Sequence, residues 1–174
     1  MRVEVCFSAQ EVAPGDVAGR MVAVVDVLRA SSSIAAALAN GARAVIPFQS
    51  SDEVVERARS FDRKEVRLAG ERRMRAIEGF DLGNSPLEFT REAVEGKTVL
   101  MTTTNGTAAI AASQGARDVL VASYVNFSAA LAVLRAALRK GTDLTIVCGG
   151  PEGHFSREDA VCAGRAVHHV TRRL

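Results

Sequence analysis

Two stretches of the chain follow one plan. VDVLRASSSIAAALANGARAVIPF (25–48) and LMTTTNGTAAIAASQGARDVLVAS (100–123) each run from an apolar strand through a polar turn into an Ala-rich helix. Each then passes Gly-Ala-Arg (41–43 and 115–117) and enters a second strand. An amphipathic helix and a strand ending in glycine follow in both. Ala-rich helices resemble one another by composition alone, but the shared order of elements and the shared cap glycine favour duplication of one unit. Alternating strands and helices bury their apolar faces by laying helices on a parallel sheet. The expected fold is therefore α/β, with a mostly parallel or mixed sheet, helices on both faces and two similar α/β halves.

The elements read off in order. VEVCF (3–7) is a short strand, and MVAVVDVL (21–28) is apolar almost throughout, as in a strand buried on both faces. The hydroxyl-rich start and Asn-Gly end of 31–41 predict a capped helix. A strand at 42–48, an acid-first amphipathic helix at 50–61 and a strand at 65–71 complete the first half. The second half has strands at 97–104, 116–123 and 143–150, with helices at 105–115, 126–141 and 156–174. We place the first half at 1–78, a connecting site loop at 79–96 and the second half at 97–174.

Composition narrows the function. The formal net charge is +2 and aromatics are 5%, which argues against nucleic acid as a partner. The three cysteines, Cys6, Cys148 and Cys162, form no C-x-x-C pair, so neither a disulfide framework nor structural zinc is expected. No apolar run reaches about 18 residues and no N-terminal signal is visible, so a cytoplasmic protein without membrane attachment is expected.

In parallel α/β sheets, ligands sit beyond the C-terminal strand ends, beside helix starts whose free N–H groups favour anions. Asp26, Arg29 and Ser31–Ser33 follow the second strand, and Glu71 and Arg72 follow 65–71. Thr102, Thr103, Thr104, Asn105, Gly106 and Thr107 follow the strand at 97. Ser31 or Ser32 reads equally well as a plain helix cap. Asp26 is harder to dismiss, because a carboxylate inside an apolar run must be paired, hydrogen-bonded or metal-bound; an ion pair with Arg29 is the structural alternative. Asp26, Glu71, Asp81, Glu158 and Asp159 are hard oxygen donors near loop and helix ends, with no His/Cys cluster, which suits Mg2+ rather than zinc. His154 sits in a glycine loop and is a further candidate. These features suggest a metal-assisted enzyme for a small phosphorylated acid. A phosphate-binding module without catalysis, or an inactive homologue, is the alternative.

VVDVLRASSSIAAALANGA (24–42), GER (70–72), IEGFDLGNSPLE (77–88), TTTNGT (102–107) and CGGPEGHFSREDAVCAG (148–164) resemble the 2-phosphosulfolactate phosphatase (ComB-like) family. The resemblance implies a magnesium-dependent hydrolase that converts 2-phospho-3-sulfolactate to sulfolactate and phosphate, a step of coenzyme M biosynthesis in methanogens. It implies that GFDLGNSPLE (79–88) is a site loop, with Asp81 as a ligand and Asn84 and Ser85 as substrate hydrogen bonders. Asp26 would hold Mg2+, with Glu71, Asp81, Glu158 or Asp159 as further ligands. Arg29 and Arg72 would neutralise a phosphoryl group lying near Ser31, Ser32 and Thr103–Thr107, and Arg73 or Arg75 would meet the remaining acids. A covalent intermediate on Asp26, Ser31 or Cys148 stays open. Family members usually run several tens of residues further, which leaves the second half here C-terminally shortened relative to them. A homodimer is compatible with the short Ala-rich helices.

Overall fold

A computed structural model describes residues 1–172. They form eight strands: β1 (Val3–Cys6), β2 (Met21–Val25), β3 (Ala44–Phe48), β4 (Val66–Arg72), β5 (Arg75–Ala76), β6 (Thr98–Thr102), β7 (Asp118–Ala122) and β8 (Leu144–Cys148). The helices are α1 (Ala30–Ala39), α2 (Ser51–Ala58), α3 (Arg91–Val94), α4 (Gly106–Ala112), α5 (Phe127–Arg139) and α6 (Arg157–Thr171). The fold is α/β, as its sequence alternation predicts. The last two residues of the helix expected at 156–174 lie outside the described residues.

The strands divide between two sheets, ordered β1-β8-β2-β7 and β3-β6-β4-β5. All pairings are parallel except the β4–β5 hairpin. The order shows how the repeated units interlock. β2, the first strand of one unit, lies between β7 and β8 of the other; β6 lies correspondingly between β3 and β4. Each sheet therefore draws strands from both sequence halves. Pro47 is accommodated because β3 is an edge strand.

Side-chain alternation sets the layers. Met21, Ala23 and Val25 of β2 pack with Leu134 and Leu138 of α5 and Cys162, Ala163 and Val170 of α6. Val22 and Val24 face the other way, onto Ala109 of α4. In the second sheet, Val99 and Met101 of β6 pack on Ile34 and Ala37 of α1, whereas Leu100 meets Val54 of α2. The periodic Leu134 and Leu138 of α5 are both buried, which explains the helical reading of that stretch.

Two short elements arise inside stretches that lack a periodic signal. β5 is a two-residue exposed return of β4. α3 is a single turn started by the Thr90 hydroxyl, which accepts from the Ala93 amide at 3.3 Å.

Gly70 is among the glycines required by close approach. Gly70 has φ +148°, and a β-carbon there would overlap the Thr102 carbonyl oxygen on the paired strand. Gly70→Ala must push β4 from β6 or change its backbone. We expect a loss of about 3 kcal/mol in urea unfolding at an unchanged slope; an unaltered midpoint would contradict this packing.

Candidate active site

The C-terminal ends of β2, β8, β4 and β6 converge, and between them lies a cleft of about 300 Å³. Asp26, Arg29, Glu71, Asn84, Thr104, Asn105, Glu158 and Asp159 line it, together with Leu28, Arg73, Met74, Gly150, Pro151, Glu152, His154 and Ser156. Both sheets contribute, so the interlocked strands are what assemble this site.

Asp26 is buried in its wall, with 6% of its surface exposed. Its amide donates to Ser31 Oγ at 3.0 Å, and Ser31 Oγ in turn donates to the Val24 carbonyl at 3.0 Å. Its carboxylate is walled by Gly106 and Gly149, where added β-carbons would stand 2.5 and 3.2 Å from Oδ2. Burial, then the nearby Asp159 carboxylate, pushes its pKa up to about 7, against a hydrogen bond from the Ala30 amide; Glu71 and Glu158 add to the rise. A carboxyl poised near neutrality by burial and like charge is a feature of functional sites. Arg29 faces the same cleft and forms no ion pair with Asp26 or any other carboxylate among the described residues.

Glu71 and Asp159 stand close by with their oxygens engaged. Glu71 Oε1 accepts from the Thr104 amide at 2.7 Å, and Oε2 accepts from the Met74 amide at 2.8 Å and the Thr104 hydroxyl at 3.1 Å. Asp159 Oδ1 accepts from the Val27 amide at 2.8 Å and Oδ2 from the Gly150 amide at 3.3 Å. Burial raises the Asp159 pKa while those amides oppose the rise. Both carboxylates thus tie strand-end loops together and bring negative charge to the cleft.

The remaining predicted residues fall in several places. Asn84 is buried in the cleft wall, and its Oδ1 has no hydrogen-bond partner. Thr104, Asn105 and Glu158 reach the cleft. Asn105 Oδ1 accepts from the Glu152 amide at 2.8 Å. Thr103 and Thr107 bind each other: the Thr107 hydroxyl donates to the Thr103 carbonyl at 2.8 Å, and the Thr107 amide to Thr103 Oγ1 at 3.1 Å. Ser32 donates to the Val27 carbonyl at 2.8 Å and Ser33 to the Asn84 carbonyl at 2.8 Å. These serines lie within the first turn of α1 instead of capping it, since Arg29 occupies the cap position. Gly106 begins α4 and accommodates Asp26. Arg72 turns away from the cleft and donates to the Gln49 carbonyl at 2.6 Å and Thr102 Oγ1 at 2.7 Å.

Asp81 also lies off the cleft. It accepts from Arg63 at 2.5 Å and from the Leu68 amide at 2.8 Å. Burial works against its charge, but those two hydrogen bonds outweigh it and hold the carboxyl below its usual range. Ser85 and Glu88 form a reciprocal cap, and Glu88 Oε2 also accepts from the Gly83 amide at 2.7 Å. GFDLGNSPLE is thus folded by its own acids, and within it only Asn84 lines the cleft.

Ser156 and Met74 line the cleft without having been singled out from sequence. Ser156 caps α6 through the Asp159 amide at 3.3 Å, which the Ser-x-x-Asp spacing does signal. Nothing in the residue types Arg73-Met74 signals a tight turn.

Buried carboxylates, strand-end loops and an arginine without a carboxylate partner among the described residues meet in this one cleft of the α/β fold. The family model described as 2-phosphosulpholactate phosphatase matches residues 6–173. A probable 2-phosphosulfolactate phosphatase of Clostridium botulinum (strain Eklund 17B / Type B) is 42% identical over 172 residues, covering 99% of this chain and 71% of the relative. One of Caldanaerobacter subterraneus subsp. tengcongensis is 46% identical over 159 residues, covering 91% of this chain and 64% of the relative. One of Clostridium beijerinckii is 39% identical, covering 98% and 70%. The chain belongs to the 2-phosphosulfolactate phosphatase family and is thereby a phosphoric monoester hydrolase. No helix among the described residues is long and apolar enough to cross a membrane.

Proposed function

We propose that the chain is a magnesium-dependent phosphatase acting on a small phospho-acid, 2-phospho-3-sulfolactate, to give sulfolactate and phosphate. The buried Asp26, with Arg29 lining the same cleft and without a carboxylate partner among the described residues, is the observation that carries this reading. The names of the relatives supply the substrate.

Magnesium suits the residues present. Asp26, Asp159, Glu71 and Glu158 repel one another around one cleft, and a cation relieves that repulsion. The orphaned Oδ1 of Asn84 is a pure acceptor, as are the phosphate, carboxylate and sulfonate of the substrate, so it calls for a cation or a water O–H. Among the described residues no three His, Cys, Asp or Glu side chains converge as a ready-made metal group. Magnesium is usually held by one or two carboxylates, waters and substrate oxygens. Asp26 would hold it, with Glu158 on the same cleft. When bound, the ion would supply neutralisation of phosphoryl charge and orientation of the attacking water.

The chain's own groups do the rest. Arg29 binds the phosphoryl oxygens with a fixed positive fork. Asn84 Oδ1 accepts a hydrogen bond from water at the cleft wall and orients it. Glu71 and Asp159 hold the loops carrying Thr104 and Gly150 so that the walls do not relax as charge shifts. Ser31 Oγ is committed to the β2 backbone, and burial pushes the Cys148 thiol up to about 12, so neither supplies a ready nucleophile.

A panel of phosphate esters with magnesium tests the substrate class. We expect kcat/KM for 2-phospho-3-sulfolactate at least about a hundredfold above that for glycerol phosphate, a neutral-alcohol ester. Equal values for the two would remove the acid-specific reading.

A further inference from the structure

Resting on the phosphatase reading above, we propose that Arg73 binds the acid of the substrate farthest from the ester, and so sets the preference for esters that carry one. β4 and β5 pair Arg72 with Arg75, leaving Arg73 and Met74 as a two-residue turn. Both have positive φ, 50° and 64°. Hairpin turns of this kind normally recruit Asn-Gly, because other side chains resist that backbone. The strain is held in place by the site itself: the Arg73 amide donates to Thr104 Oγ1 at 3.2 Å and the Met74 amide to Glu71 Oε2 at 2.8 Å. The third non-glycine residue with positive φ among those described is Glu152, at 49°. All three line the cleft.

Arg73, Thr104, Asn105 and Glu152 also line a second hollow of about 520 Å³, which Gln10 helps to enclose. They are therefore the wall between the Asp26 cleft and this neighbouring space. Arg29 lines only the first. Among the described residues Arg73 has no carboxylate partner, so its charge is available at the divide. Of the alternatives, Arg72 lines the second hollow but not the Asp26 cleft and donates to the Gln49 carbonyl and Thr102 Oγ1, and Arg75 is exposed and lines neither space.

The substrate's geometry suits that division. In 2-phospho-3-sulfolactate the phosphoryl and carboxylate share one carbon, so both belong in the cleft with Asp26 and Arg29. The sulfonate is one carbon further on and reaches the wall. A guanidinium there gives a charge-assisted hydrogen bond that an ester lacking the far acid cannot use.

Arg73→Ala and Arg73→Lys, compared with the parent chain, test this. For Arg73→Ala we expect KM for 2-phospho-3-sulfolactate to rise at least tenfold with kcat within threefold, and kcat/KM for 2-phospholactate to stay within threefold. Calorimetric binding of 3-sulfolactate should weaken at least tenfold while that of inorganic phosphate stays within twofold. Arg73→Lys should recover part of the sulfolactate affinity, which a purely structural turn would not require. Equal losses on both esters, or unchanged sulfolactate binding, would overturn the assignment. Should the parent chain hydrolyse neither ester yet bind 3-sulfolactate in an Arg73-dependent way, the phosphatase reading fails and the assignment of Arg73 stands.

Discussion

Asp26→Asn is expected to release no measurable phosphate and yet to melt higher than the parent at pH 8. The two effects share a cause. Asp26 is buried among Asp159, Glu71 and Glu158, and its folded pKa of about 7 stands above the ordinary 3.8. The folded state therefore holds this proton more tightly than the unfolded chain. Below about pH 4 that preference stabilises the fold fully, and it is lost as pH rises through about 7. The loss is on the order of 4 kcal/mol across that window in metal-free protein. Asn keeps the shape and removes the charge, so in EDTA at pH 8 its melting point should lie about 5–10 °C above the parent's, with the gap shrinking toward pH 5. Turnover should fall about a thousandfold or more, because the phosphoryl site loses its central carboxylate. A variant that melts lower at pH 8 would show that the charge is compensated in the fold; one that keeps near-normal turnover would remove Asp26 from the chemistry.

Gly106→Ala separates helix propensity from site geometry. Alanine at the first residue of α4 would favour the helix by up to about 1 kcal/mol if nothing else intervened. Here its β-carbon would overlap that of Ala30 and stand 2.5 Å from Asp26 Oδ2. Either α4 retreats or the Asp26 carboxylate moves. Displacements of about 1 Å cost on the order of a hundredfold in rate, and we expect that loss in kcat/KM. Net stability should drop by about 2 kcal/mol despite the better helix former, as in overpacked cores. Full activity in Gly106→Ala would mean that the carboxylate need not sit where the two glycines hold it.

Much of the fold was legible because strong periodicities survived. The near-continuous apolar run of β2 and the Leu134–Leu138 spacing of α5 reflect burial that local sequence records directly. The division into two sheets was not legible. It depends on β2 and β6 each entering the other unit's strand pair, a long-range choice that no local pattern encodes. β5 and α3 were too short to produce a period.

The site was legible by residue type more than by role. Asp26 stood out as a carboxylate in an apolar run, and the cleft forms around it. Asp81 carried the same type and a similar loop position, yet its oxygens go to Arg63 and Leu68. Ser31, Ser32, Thr103 and Thr107 carry hydroxyls suited to an anion, but the hydroxyls bind backbone groups. Which polar group is already satisfied is a property of tertiary contacts, and one sequence does not record it. Loop GFDLGNSPLE illustrates the point: its acids brace, and Asn84 reaches the cleft.

On the proposed reading, the Asp26 cleft hydrolyses a phospho-acid with the help of magnesium. Phosphate release from 2-phospho-3-sulfolactate, measured on this chain with excess magnesium and again after chelation, tests it most directly. Turnover is expected with the ion, none after chelation, and recovery when magnesium is restored. Release that persists undiminished in chelator, or its absence with magnesium present, would contradict it.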